Sequence, residues 1–175
     1  MKFNIIDEIP YPRHQVFATH RDCLLELVPY FGNVDRVEIP SRREEGNAVH
    51  FENVWYGKTS DVPALIRPLL KDEMLKWTDF AVWDEDVWRC DWNIELAALP
   101  GAITARGTNR FRDESGETVI EMNGEFAIHP DRLPGIPAFA ARRALPVLER
   151  FIVGLLEPNL RDSNRAVQRY IEDNI

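Results

Sequence analysis

The order in which this chain alternates its patterns constrains its fold more than any single motif does. A strand-like stretch from Lys2 to Ile9 leads into a helix that starts at Tyr11-Pro12 and runs to about Pro29, with Val16, Phe17, Leu24, Leu25 and Val28 at helical spacing. Phe31-Gly32-Asn33 ends that unit. Six strand patterns follow, at roughly 34–43, 47–56, 76–83, 87–96, 102–112 and 117–129. Turn residues separate them, among them Glu45-Gly46-Asn47, Asp84-Glu85-Asp86, Pro100-Gly101 and Glu114-Ser115-Gly116. Short connections of this kind join antiparallel neighbours. A long helix then closes the chain, beginning near Phe139 or Leu145. Its Leu148, Phe151, Ile152, Leu155, Leu156, Leu160, Val167, Tyr170 and Ile171 form one apolar face, and Pro158 kinks or splits it. The expected class is α+β, a curved seven-stranded antiparallel sheet wrapped around a long C-terminal helix, with residues 1–175 forming one domain.

Two segments interrupt the meander. Residues 57–75 are long for a hairpin loop and are read as a candidate lid, while Pro130, Pro134, Gly135 and Pro137 make a stiff connector before the last helix. Charge narrows the partners. A net charge of -8 opposes nucleic-acid binding, which needs clustered Lys or Arg to meet phosphates. The arginines of the last segment alternate with Glu149, Glu157, Asp162, Glu172 and Asp173, as on a solvated helix face. The longest apolar run, Phe151 to Leu156, is too short for a bilayer, and the amino terminus runs into Asp7 and Glu8, so a cytoplasmic protein without stable membrane insertion is expected. Cys23 and Cys90 lack zinc or redox spacing and read as buried thiols, with no metal and no cofactor expected.

Side-chain alternation sorts the strands into faces. In 87–96, Trp88, Cys90, Trp92 and Ile94 face one way and Arg89, Asp91, Asn93 and Glu95 the other. The apolar set is inward. The same logic places Ala105, Gly107, Asn109 and Phe111 inside, then Met122, Gly124 and Phe126, then Val49, Phe51, Asn53 and Trp55. Cys90, Ala105, Gly107 and Gly124 put little bulk at the middle of three strands, which predicts either a bend or a bend with a hollow. For 76–83 two sets compete, Trp77, Asp79, Ala81 and Trp83 against Thr78, Phe80 and Val82. If the tryptophan set is inward, Asp79 joins Asn53 and Asn109 as a polar group in an apolar enclosure, where burial disfavours a charged carboxylate.

Phosphate-binding loops, nucleophile elbows and His-Glu-x-x-His pairs are absent from the sequence. His14, His20, His50 and His129 are scattered and are expected at the surface. Catalysis by a nucleophile or a metal therefore has no support, which leaves binding, or acid and base chemistry by a few enclosed groups.

The stretch from Ile5 to Phe17, with Pro10, Pro12 and Val16-Phe17, together with the pair Gly107-Thr108-Asn109-Arg110-Phe111 and Gly116-Glu117-Thr118-Val119-Ile120, resembles the START-like, or SRPBCC, superfamily of helix-grip proteins. The resemblance covers nearly the whole chain and rests on architecture rather than on a catalytic signature. It implies a pocket between sheet and terminal helix, and hence binding or transport of a hydrophobic small molecule, a lipid, sterol or polyketide-like compound. The alternative it implies is a polyketide cyclase or dehydratase. The candidate ligand contacts are Phe51, Asn53, Trp55, Asp79, Trp88, Trp92, Asn109, Met122, Phe126 and Ile152.

Overall fold

A computed structural model describes residues 1–58, 76–98, 100–132, 139, 143, 146 and 160–174. The candidate lid at 57–75, the Pro134–Pro137 connector, Pro158 and Ile152 lie largely or wholly outside the described residues.

The strands are β1 (Lys2–Ile9), β2 (Val34–Glu45), β3 (Ala48–Gly57), β4 (Lys76–Asp84), β5 (Arg89–Glu95), β6 (Ile103–Glu114) and β7 (Glu117–Ile128). They form one antiparallel sheet in the order β1-β7-β6-β5-β4-β3-β2. Each expected strand is present, because each has an alternating face bounded by turn residues. Glycines in the left-handed region at Gly46 (φ 61°) and Gly116 (φ 91°) close two of the hairpins, a conformation that a Cβ disfavours.

Between β1 and β2 the chain crosses from one sheet edge to the other through α1 (Arg13–Asp22), α2 (Leu24–Leu27) and a 3₁₀ turn (Val28–Tyr30). The single helix expected to Pro29 is therefore split at Cys23, whose N–H still closes onto the Thr19 carbonyl. The break turns Leu27 into the core, where it is fully buried. Residues 160–173 are helical and lie on the inner face of the sheet. Their stripe is as expected, with Ala166, Val167 and Ile171 buried.

Polar bonds fasten this terminal helix. Asn164, itself buried, donates to Asp7 Oδ2 at 3.1 Å, Arg161 donates to the Ile6 carbonyl at 3.1 Å, and Tyr30 donates to Asp173 at 2.8 Å. Asp7 shares inward parity with the buried Ile5 and Ile9, so the charge first read as part of a polar amino terminus faces the helix instead. The outer face carries the acid and base alternation expected of a solvated sheet: Arg106 pairs with Glu125, and Thr108 donates to Asp91 at 2.6 Å.

Candidate functional site

Strand pairing settles the open parity of β4. Asn53 lies opposite Asp79, Phe51 opposite Ala81, and Trp55 opposite Trp77, so the tryptophan set shares the face of the buried Phe51 and Asn53. Thr78, Phe80 and Val82 point outward, and Phe80 is 39% exposed. Asp79 is thus an inward carboxylate. Burial pushes its pKa up to about 6, against a smaller opposing effect from the Asn53 amide, which donates to its Oδ2 at 3.2 Å.

Asn53 is 4% exposed, and its Oδ1 meets no hydrogen-bond partner among the described residues. The indole Nε1 of Trp55, two positions along the same strand, is likewise buried and without a partner among them. Buried polar atoms are normally satisfied, so two such atoms side by side mark this end of the inner face as incomplete. Trp55 lies nearly parallel to Trp77, with 5.9 Å between ring centroids. Trp77 belongs to the same cluster, although it was not among the expected contacts; its place opposite Trp55 becomes visible once the register is known.

The other expected contacts separate into groups. Trp92 donates its indole N–H to Asn109 Oδ1 at 3.0 Å, so these two satisfy each other. Phe126 belongs to a small apolar cluster with Ala105 and Ile128, flanked by Trp92, Ile94 and Ile103. Phe51 is buried in the main core. Met122 is fully buried and within 3.8 Å of the Asn164 amide, which places it under the terminal helix.

Trp88 stands in the turn before β5 with φ 51°, a left-handed conformation for a non-glycine residue. Its ring meets Phe17 edge-on at 5.3 Å and lies under the Arg13 guanidinium at 4.3 Å. Four positions separate Asp79 from Trp83 on β4 and six separate Ala105 from Phe111 on β6, so the Asp79 row and this aromatic cluster are roughly 13 to 20 Å apart along the strands.

Of the two alternatives at the glycines, a bend or a bend with a hollow, the hollow is not open at Gly107 and Gly124. A Cβ on Gly107 would meet Trp92 Cε2 at 2.8 Å, and one on Gly124 would meet Phe3 Cε1 at 2.7 Å. Phe3 and Trp92 are stacked at 6.3 Å over that spot. Their bulk takes the room that small residues leave on neighbouring strands. An open depression of about 650 Å³ lies instead mainly on the outer face, around Phe80, Val82, Asp91, Arg106, Thr108 and Glu125.

His20 is a second departure from the sequence reading. Its ring packs on Trp83 and Phe111, with centroids 6.1 and 5.5 Å away, and its Nε2 is buried without a partner among the described residues, so burial lowers its pKa to about 4. Cys90 is buried as expected, and burial raises its thiol pKa. Among the described residues no group of three or more His, Cys, Asp or Glu is placed to hold a metal ion, and no helix is long and apolar enough to cross a membrane.

A seven-stranded antiparallel sheet with a terminal helix on its inner face is a helix-grip fold, as expected. No protein-family model matches the sequence, and no curated protein does. Solved structures match over nearly the whole chain. The protein TTHA0849 from Thermus thermophilus is 16% identical with a TM-score of 0.70, covering 99% of each chain. The Zhui aromatase/cyclase from Streptomyces sp. R1128 is 15% identical with a TM-score of 0.67, over 98% of this chain and 93% of its own. Norcoclaurine synthase from Thalictrum flavum is 10% identical with a TM-score of 0.61, over 98% and 92%. At these identities the likeness is one of fold.

Proposed function

We propose that the protein binds and carries a hydrophobic small molecule, lipid, sterol or polyketide-like, between the inner face of the sheet and the C-terminal helix. The observation that carries this reading is the pair Asn53 and Asp79, a carboxamide and a carboxyl bonded to each other on a face built mainly of aromatic and aliphatic side chains. Such a face gains affinity mainly from apolar burial, and its few polar groups orient what binds. We propose Phe51, Asn53, Trp55, Asp79, Trp92 and Phe126 as ligand contacts, with Asn109 acting through Trp92. Trp88 and Met122 serve packing in this reading, and Ile152 lies outside the described residues.

A second reading, a cyclase or dehydratase, is favoured by one observation. A carboxyl with a pKa of about 6 is available in both protonation states near neutrality, as a general acid or base must be. Two structures of the same fold are named for reactions, one an aromatase/cyclase and one a synthase.

Native mass spectrometry of the protein purified without added ligand tests the first reading: a co-purifying apolar molecule supports it, and repeated absence counts against it. Asp79→Asn then separates the two. A carrier keeps most of its affinity, whereas an enzyme retains binding and loses turnover on a polyketide-like substrate.

A further inference from the structure

The two unsatisfied atoms at the Asp79 end differ in kind. Asn53 Oδ1 accepts only, and Trp55 Nε1–H donates only. Residues two apart on a strand share a face, with their Cα atoms roughly 6.6 Å apart, so a ligand lying along this face passes both side chains. One bond engages the Asn53 amide nitrogen with Asp79, while the carbonyl oxygen is the buried atom of that side chain with no partner among the described residues. From this juxtaposition we infer that the site takes an uncharged ligand terminus offering a donor and an acceptor together, a phenol or alcohol hydroxyl, rather than a carboxylate or an ammonium group.

The alternatives each leave something unsatisfied. A carboxylate has acceptors alone, so it leaves Asn53 Oδ1 bare and brings a second anion towards Asp79. No Lys or Arg is found among the described inward residues there, Asn53, Trp55, Trp77, Asp79, Ile94 and Ala105. An ammonium group has donors alone and leaves the indole N–H bare. A hydroxyl donates its O–H to Asn53 and accepts from Trp55, and the nearly parallel Trp55 and Trp77 rings offer a flat wall to an aromatic body.

This inference deepens the binding reading above and rests on it. Equilibrium dialysis of the full chain at pH 7.5 with 2-naphthol, 2-methylnaphthalene, 2-naphthoate and 2-naphthylmethylammonium separates the two. The naphthol is expected to bind about tenfold more tightly than the methyl compound, the gain from two hydrogen bonds that satisfy buried partners. Trp55→Phe, which keeps an aromatic ring, and Asn53→Leu, checked for a native melting transition, are each expected to cut that preference, taken as the ratio of the two affinities within the same variant, about threefold. Equal affinities for naphthol and methylnaphthalene, a preference for either charged compound, or a preference untouched by both variants overturns the inference and leaves apolar binding standing. Failure of all four to bind the folded protein overturns both.

Discussion

The two ends of the inner face are built from the same kinds of residue and finished differently. At one end α1 and the terminal helix close over the sheet: Phe17, fully buried, meets Trp83, Trp88 and Phe111 edge-on at 5.1 to 5.3 Å. At the other end Asn53 and Asp79 hold one hydrogen bond between them, and beside it an amide oxygen and an indole N–H have none among the described residues. Aromatic rings that pack on one another contribute stability, whereas polar atoms left without partners subtract from it. The aromatic end is therefore expected to carry more of the fold's stability, with His20 Nε2 the buried atom there that has no partner among the described residues, and the proposed guest belongs to the polar end.

The largest effect should come from breaking the aromatic end. Phe17→Ala is expected to cost about 3 to 5 kcal/mol in urea unfolding, and a loss under about 1 kcal/mol would show that this end is not the centre of stability. Next comes acid. His20 is neutral in the fold with a pKa lowered to about 4, so the unfolded chain takes up its proton first as pH falls. His20 alone accordingly withdraws on the order of 3 kcal/mol between about pH 6.5 and 4, read as the difference between the acid profiles of the wild type and His20→Phe.

Asp79 has the opposite sign. Its folded pKa lies above the unfolded value, so its burial destabilises the fold above about pH 6, and this is relieved as pH falls towards 3.8. Asp79→Asn should raise stability at pH 8 by about 2 kcal/mol and leave it little changed at pH 3.5; no gain at pH 8 would mean that the carboxyl is better solvated than its burial implies. Because the two windows overlap, the wild type should have a flatter acid profile than either variant. The smallest effect is expected on the outer face, where Arg106 is 72% exposed: a double-mutant cycle with Glu125 should give a coupling under about 1 kcal/mol.

The strands were legible because alternation and turn residues agree along each of them, as at Glu114-Ser115-Gly116 between β6 and β7. The parity of β4 was not, since Phe80 and Val82 on one face are as apolar as Ala81 and Trp83 on the other. Pairing with β3 decides it by setting Asp79 opposite Asn53. His20 stands three residues after Phe17 and so shares its helical stripe, a signal that a search for surface histidines passes over. Of the bend and the hollow that the glycines left open, the hollow is filled at Gly107 and Gly124 for a different reason. The small residues of β6 and β7 could be counted, but the Phe3 ring that covers Gly124 comes from the far end of the chain, where no local pattern points to it.

Pairing of β1 with β7 also sets a timetable for the nascent chain. Asn4 and Asn123, bonded across that seam at 2.7 Å, are 119 positions apart. At about 5 to 20 residues per second, the ribosome releases the first strand roughly 6 to 24 s before its neighbour exists. For that interval Ile5 and Ile9, later buried, have no β7 to pair with, so this seam cannot close until Asn123 and its neighbours have been made.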